Sequence, residues 1–478
     1  MDSTRSLGGR FTNCILIPQR YLLGIMASLA TFTSHTLRVT ISLAITEMVE
    51  KKNETLVDNK DRCPIIDNAT YVAVKNHDVL YDWDEHQQGI ILSSFYWGYT
   101  VTHIPCALLA EKYGSKHVLG SGMLLNTVLT IFLPLVITST GGDWVILVVL
   151  RVIMGLGQGM VYPVITTLLS QWVPRKDHGF MSSLSFAGGI MGTVVTNSVG
   201  GFLISWSEQW DTVFYFFGLL GLTWNIAWQL LCYSYPRTHP CIKPKEKEYL
   251  YHELAEHVSE ESLKTPWNEM FTSLPVWTYI IVQVGHDWGW YTMVSDLPKY
   301  MNGVLRFNFK ENGALSAAPY ITMYLATLGS GFLADWLIYK KYFSIRLTRQ
   351  IFGAIGSLGP AVFIVLASYV GCQKYIAVTF FTLCMLCMGF YYPGVKVNAL
   401  DLSPNFSGTI MALANGIGVI SGMAAPAVVG ILAPNQTLSE WRFVFWFTFF
   451  ILSGTFLIFL FLFSEEIQPW NYGVDDEE

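Results

Sequence analysis

Charge is scarce in this chain. Of its 478 residues only 13% are Asp, Glu, Lys or Arg, about half the share carried by a soluble domain. The net charge of −6 carries no signal for nucleic acid. Cysteine is sparse and scattered, at Cys14, Cys63, Cys106, Cys232, Cys241, Cys372, Cys384 and Cys387, so no disulfide framework is implied. Cys384 and Cys387 have redox-motif spacing but fall inside an apolar run, where packing is the plainer reading. Cys63 and Cys372 fall in loops on one side of the expected topology, which leaves a single bond open. Metal-ligand spacing and a nucleophile motif are both missing, and the glycines of Gly155–Gly159 follow no strand, so they are not a phosphate loop. The chain reads as no enzyme, with no cofactor.

Apolar residues fill that space. They make up 52% of the chain, aromatics alone 15%, and mean hydropathy is +0.39. Runs of about 20 or more apolar residues recur throughout, the length needed to cross a hydrocarbon core about 30 Å thick. Twelve spans are expected, at 19–49, 86–110, 117–138, 144–171, 179–205, 212–234, 275–302, 312–338, 349–370, 374–401, 406–432 and 440–464. The first is too long for a cleaved signal peptide and has no small-residue cleavage site, so it reads as a retained helix. The expected fold is an all-α, multi-pass integral membrane protein in the lipid bilayer.

Lys and Arg mark the cytoplasmic side. Lys112 and Lys116, Arg175 and Lys176, and Lys340, Lys341, Arg346 and Arg349 follow the second, fourth and eighth spans. Arg5, Arg10 and Arg20 at the N-terminus and five basic residues in 235–272 agree. Both termini are therefore expected inside. The acceptor patterns at Asn53, Asn68 and Asn435 then fall outside, as glycosylation requires; a fourth at Asn405 falls inside and is taken as chance. The organisation is a cytoplasmic N-terminus 1–18, a six-helix bundle 19–234, a charged linker 235–274, a second bundle 275–464 and an acidic tail 465–478.

The halves share landmarks. Leu109-Ala110-Glu111 recurs as Leu333-Ala334-Asp335, Tyr162-Pro163 as Tyr392-Pro393, and Pro174 as Pro404. Twelve helices in two six-helix pseudo-repeats is the expected arrangement, and transporters so built bind substrate between the repeats.

Buried cations point to that substrate. Arg38 lies inside an apolar run, where a guanidinium costs roughly 2.5 to 3.5 kcal/mol on insertion scales and persists by lining a cavity or facing a partner. Thr31, His35, Arg38 and Ser42 fall at intervals of four, three and four, and Arg151, Gln158 and Tyr162 at seven and four, so each set shares one helix face. Two arginine-bearing stripes suggest an anion site at the midplane, since the guanidinium fork suits carboxylate or phosphate. The alternative for each Arg is structural pairing. His286 and Asp287 are either a site pair or a satisfied core pair, and Asp287 is also a candidate sodium ligand. Lys396 and Asn398 extend the basic face, unless Lys396 snorkels to the cytoplasmic surface. Asp401, Glu111 and Asp335 read as gating groups.

These features together resemble the major facilitator superfamily, and its anion transporter branch in particular, which holds sialin, the vesicular glutamate transporters and the sodium-phosphate cotransporters. The resemblance rests on Leu37-Arg38-Val39, QGIILSSFYWGY (88–99), RVIMGLGQGMVYP (151–163), VNALDLSP (397–404) and Gln468-Pro469-Trp470. It implies anion transport through Arg38 and Arg151. Sialin and the glutamate transporters have Glu, implicated in proton coupling, where this chain has Gln158. Leu92 and Ala399 stand where the pattern has His, and His286 stands near an Arg of the glutamate transporters. The chain is thus most similar to the phosphate cotransporters, and sodium-coupled inorganic phosphate symport by alternating access is the first expectation. A proton- or voltage-coupled organic anion transporter is the second, and a non-transporting anion receptor the third. The tails show no acidic dileucine signal, which favours the plasma membrane.

Overall fold

The structure, a computed structural model, describes residues 17–49, 81–255, 258–259, 263–305 and 309–472. Asn53, Asn68 and Cys63 lie outside them. The described chain is helical, with one isolated bridge between Val49 and Tyr81. Its long helices are α1 Gln19–Met48, α2 Glu85–Tyr113, α3 Ser115–Ser139, α4 Trp144–Trp172, α5 Arg175–Ser207 and α6 Thr212–Leu231. Then come α7 Leu274–Tyr291, which runs on through Thr292–Asp296 and Leu297–Gly303, α8 Phe309–Tyr339, α9 Ile345–Tyr369, α10 Lys374–Leu402, α11 Ser407–Leu432 and α12 Leu438–Leu462.

Local chemistry sets the boundaries. Asp84 with Gln87 and Thr437 with Glu440 form reciprocal capping boxes at the starts of α2 and α12, and Asp143 and Ser344 cap α4 and α9; each satisfies N–H groups that a helix start leaves unpaired. Gly114 alone separates α2 from α3, at φ +90, a conformation that suits a residue without Cβ. Wide turns interrupt α5 at Thr196–Gly200, α7 at Thr292–Asp296 and α10 at Tyr392–Lys396. The last contains Pro393, whose missing N–H cannot continue the ladder.

Among the described residues, nine helices are long and apolar enough to cross a membrane, namely α3 to α6 and α8 to α12. The others, α1, α2 and α7, are of similar length but more polar. They carry Thr31, His35 and Arg38, then Gln87, Gln88 and His103, then Gln283, His286 and Asp287.

Helix pairing follows one pattern twice. α1 packs on α5 and α6, α2 on α4, and α3 on α4 and α6; α7 packs on α11 and α12, α8 on α10, and α9 on α10 and α12. The two groups meet where α5 lies on α8 and α2 on α11. Small residues allow the closest approaches. A Cβ on Gly188 would sit 1.9 Å from the Ser28 carbonyl oxygen, and one on Gly155 would sit 2.1 Å from that of Phe95.

The charged linker is folded and docked. It forms the helices Pro244–Leu254 and Trp267–Thr272. Glu246 accepts from the backbone N–H groups of Gln19 (3.1 Å) and Arg20 (3.2 Å), supplying the cap that Pro18 cannot give α1. Lys176 pairs with Glu253 at 2.7 Å. Cys372 is disulfide-bonded, and Cys63, with which the sequence left a bond open, falls outside the described residues. Asn435 lies exposed between α11 and α12 with its side-chain amide donated to Glu440 at 2.7 Å.

Candidate functional site

A cavity of about 60 Å³ lies between the two helix groups, lined from α1, α2, α4, α5, α7, α10 and α11. That is room for a few water molecules and well below the volume of an open small-molecule site. On the α1 side are His35 and Arg38, three residues apart and so neighbours on one face. The Arg38 Nη2 lies 3.2 and 3.0 Å from the two ring nitrogens of His35, an approach over the ring rather than in its plane. His35 Nδ1 is 3.2 Å from the Thr193 hydroxyl and Nε2 is 3.0 Å from the Tyr162 hydroxyl. The guanidinium also sits 5.9 Å from the ring centres of Phe95 and Tyr99. No carboxylate among the described residues ion-pairs with Arg38. Rings position its charge, and none of its N–H donors is held by a carboxylate among the described residues.

The facing wall comes from α7, α10 and α11. Lys396 Nζ donates to Asn415 Oδ1 at 3.3 Å and lies 5.1 Å from the centre of the Tyr162 ring. It is only 7% exposed, so it does not snorkel to the surface. Asp287 Oδ1 accepts from Gln283 Nε2 at 2.8 Å, and the Tyr391 hydroxyl donates to Gln283 Oε1 at 2.9 Å. His286 stacks on Tyr391 with ring centres 3.6 Å apart. Trp290, Tyr291 and Tyr392 complete this side, and Tyr291 meets Tyr96 of α2 edge to face at 6.1 Å.

Of the expected substrate-binding residues, His35, Arg38, Tyr162, His286 and Lys396 line this cavity, and so does Asp287. Three others stand elsewhere. Arg151 is 2% exposed, does not line the cavity, and lies 4.8 Å from the ring centre of Phe95. Its Nε and Nη1 have no hydrogen-bond partner. Gln158 faces α1 and donates to the Ser34 carbonyl at 2.8 Å. Asn398 follows the wide turn of α10, which carries it away from the cavity, and donates to the Ser464 carbonyl at 2.9 Å.

The expected gating acids, Asp287 apart, join the two helix groups at their basic ends. Glu111, at the end of α2, accepts from the Thr409 N–H (3.1 Å) and hydroxyl (2.9 Å) at the start of α11. Asp335, near the end of α8, accepts from the N–H groups of Gly179 (3.0 Å) and Phe180 (2.7 Å) at the start of α5. Each carboxylate thus meets the positive end of a helix across the interface. Asp401 is fully buried and holds Arg349 at 2.8 Å, while Arg175 reaches it at 4.0 Å and His178 at 3.6 Å from the other group. Arg175 also donates to the Glu465 carbonyl.

Tyr99, Trp290, Tyr291, Tyr392 and Asn415 line the cavity without having been expected there. Tyr392 carried a signal, because its Tyr-Pro pair repeats that of Tyr162, an expected site residue.

Comparison with known proteins defines the class. The pattern of the Major Facilitator Superfamily matches residues 27–426, and the chain belongs to that family. It is a secondary transporter on an all-α, multi-pass membrane fold. Sialin of Homo sapiens is 36% identical over 453 residues, covering 94% of this chain and 90% of its own. A Drosophila ananassae protein named "Putative inorganic phosphate cotransporter" is 35% identical over 466 residues, covering 95% of this chain and 94% of its own. The solved structure of the proton:xylose symporter XylE, at 14% identity, superposes with a TM-score of 0.67 over 92% of this chain and 94% of that one, a likeness of fold.

Proposed function

We propose that this chain carries small organic anions across a membrane by alternating access between two six-helix repeats, 19–234 and 275–464, joined by the linker 235–274. The repeat is supported by the pairing of helices, in which α1–α5, α1–α6, α2–α4, α3–α4 and α3–α6 each have a counterpart six helices later. Glu111 and Asp335 obey the same rule. With the basic ends inside the cell, this conformation is closed towards the cytoplasm.

The observation that carries the substrate class is Arg38. Its guanidinium lines a cavity whose other walls are largely aromatic, from Tyr99, Tyr162, Trp290, Tyr291 and Tyr392, and which at about 60 Å³ must widen to admit an organic anion. A compact, strongly hydrated inorganic anion gains little from such rings. An organic carboxylate puts its charge on Arg38, with Lys396 opposite, and its body against the aromatic faces. The similarity to sialin supports this branch. Sodium-coupled phosphate symport is the second reading, favoured by Gln158, which cannot titrate, and by the name of the Drosophila relative. The plasma membrane is the proposed location.

The test is counterflow in proteoliposomes holding the full-length protein, with radiolabelled hippurate, glucuronate and inorganic phosphate as probes and Arg38→Ala as the control. Exchange of an organic probe, lost in the variant, is expected. Exchange of phosphate alone, dependent on sodium, would overturn the proposal in favour of the second reading.

A further inference from the structure

We infer that Asp287 is the coupling site of this transporter, a carboxylate that takes up a proton with each anion and thereby releases Lys396 to it. The inference rests on the proposed anion cavity and adds the ion that drives it.

Asp287 is the only carboxylate among the described residues lining that cavity. Tyr391 fixes the orientation of the Gln283 amide, and Gln283 donates to Oδ1. That bond is stronger to an ionised carboxylate, and it persists to the carbonyl oxygen of the neutral acid. Oδ2 is the remaining position, and it packs against α11 at Gly418, where a Cβ would sit 2.1 Å away. At that position the neighbouring helix carries no side chain.

The surroundings favour a proton over a metal ion. Two cations face the cavity with Asp287, Lys396 from α10 and Arg38 from α1. Lys396 and Asp287 line the same wall of the cavity, both from the second helix group. The other titratable neighbours are the imidazoles of His35 (α1) and His286 (α7) and the hydroxyls of Tyr99 (α2), Tyr162 (α4), Tyr291 (α7) and Tyr392 (α10). On the far side, α12 presents Leu452 and Thr455 to α7, and no charge. A hard cation such as sodium needs several oxygen ligands. The Asn415 Oδ1 already accepts from Lys396, and an ammonium beside the site repels a second cation. Gln158, bonded to the Ser34 carbonyl, takes no part.

The cycle conserves charge. With Asp287 ionised, its negative charge in the same cavity offsets that of Lys396, and a transported anion is bound poorly. A proton from the aqueous side binds Oδ2 and leaves the ammonium for the anion. On the other side the anion departs, and Lys396 favours loss of the proton to water. One proton and one monoanion cross together without net charge.

The experiment uses the full chain in proteoliposomes, with hippurate as probe and the membrane potential clamped. A one-unit inward pH gradient coupled to one proton gives about tenfold accumulation. Asp287→Asn keeps the Gln283 bond and is expected to abolish accumulation while hippurate counterflow persists. Accumulation undiminished in Asp287→Asn, or driven by sodium and not by pH, overturns the inference. If wild-type protein exchanges none of the three probes, the functional reading itself has failed, and infrared difference spectra of the purified protein on acidification judge Asp287 alone. A protonated-carboxyl band lost in Asp287→Asn supports proton uptake there, and an unchanged band refutes it.

Discussion

Replacing Glu111 by Gln and Asp335 by Asn together is expected to open the basic side of the protein. Each carboxylate accepts at least two hydrogen bonds at the start of a helix across the interface, Asp335 from Gly179 and Phe180 at 3.0 and 2.7 Å, and Glu111 from the backbone and hydroxyl of Thr409 at 3.1 and 2.9 Å. A hydrogen bond to a charged group contributes about 1.5 to 3 kcal/mol, and an anion in a partly buried site at a helix N-terminus gains up to ~2 kcal/mol from the dipole. The isosteric amides keep one acceptor oxygen and lose the charge, so each substitution costs the closed state about 1.5 kcal/mol. The two latches share no partner and should add, giving about 3 kcal/mol, or roughly a hundredfold in the equilibrium. A closed state favoured by that ratio would fall to near parity. Spin labels at Tyr113→Cys and Tyr339→Cys, on α2 and α8 at positions 64% and 73% exposed, would report it as a second, longer distance population. Single variants should give a smaller share of that population. A double variant that stays folded with an unchanged distance distribution would refute the assignment of these acids as latches.

Three further expectations concern separate parts of the molecule. Arg38→Lys should lose at least about tenfold in probe counterflow, because an ammonium cannot reproduce the planar fork, while surface expression is kept; counterflow at the wild-type rate would contradict its role. Asp401→Asn should lower thermal stability in detergent by about 3 to 5 kcal/mol, the cost of stranding Arg349 in a buried site, and Asp401→Leu with Arg349→Met should recover most of it. Gly155→Ala should cost about 1 to 3 kcal/mol by overpacking, since its new methyl would meet the Phe95 carbonyl 2.1 Å away; an unshifted melting curve would show that α2 and α4 yield.

How much of the site was legible depends on whether a residue's face or only its helix could be read. The interval of three from His35 to Arg38 placed both on one stripe, and the structure finds both in the cavity. The same logic put Arg151, Gln158 and Tyr162 on one face of α4, yet only Tyr162 lines the cavity. Periodicity gives the face but not what packs on it, and Arg151 is buried against Phe95 of α2. Asn398 was misplaced because the wide turn at Tyr392–Lys396 adds a residue to the period. The chain's internal echoes were the stronger guide. Tyr162-Pro163 pointed to Tyr392, and Glu111 and Asp335, read together, do the same work at equivalent ends. The ion pair of Arg349 with Asp401 had no such signal, since it joins distant helices. Hydropathy alone passes over α1, α2 and α7, because the polar residues that lower their apolar content are in part those that face the cavity.

The division of charge across the cavity gives this arrangement its consequence. Arg38 comes from the first helix group, Lys396 and Asp287 from the second, so an anion held by both cations is bound best where the groups converge around it. A ligand shifts a conformational equilibrium only by its difference in affinity between states. On the proposed mechanism the latches at Glu111 and Asp335, which lie outside the cavity lining, set the resting population alone, whereas the cavity charges set how far an anion moves it. Weakening the latches should thus change which side is open without changing which anions are selected. Neutralising Lys396 should do the reverse: Lys396→Met would leave the distance distribution of the empty protein as it was and reduce the narrowing that hippurate produces. Were Lys396→Met to widen the basic side of the empty protein, the two functions would not be separable, and Lys396 would have to be counted among the latches.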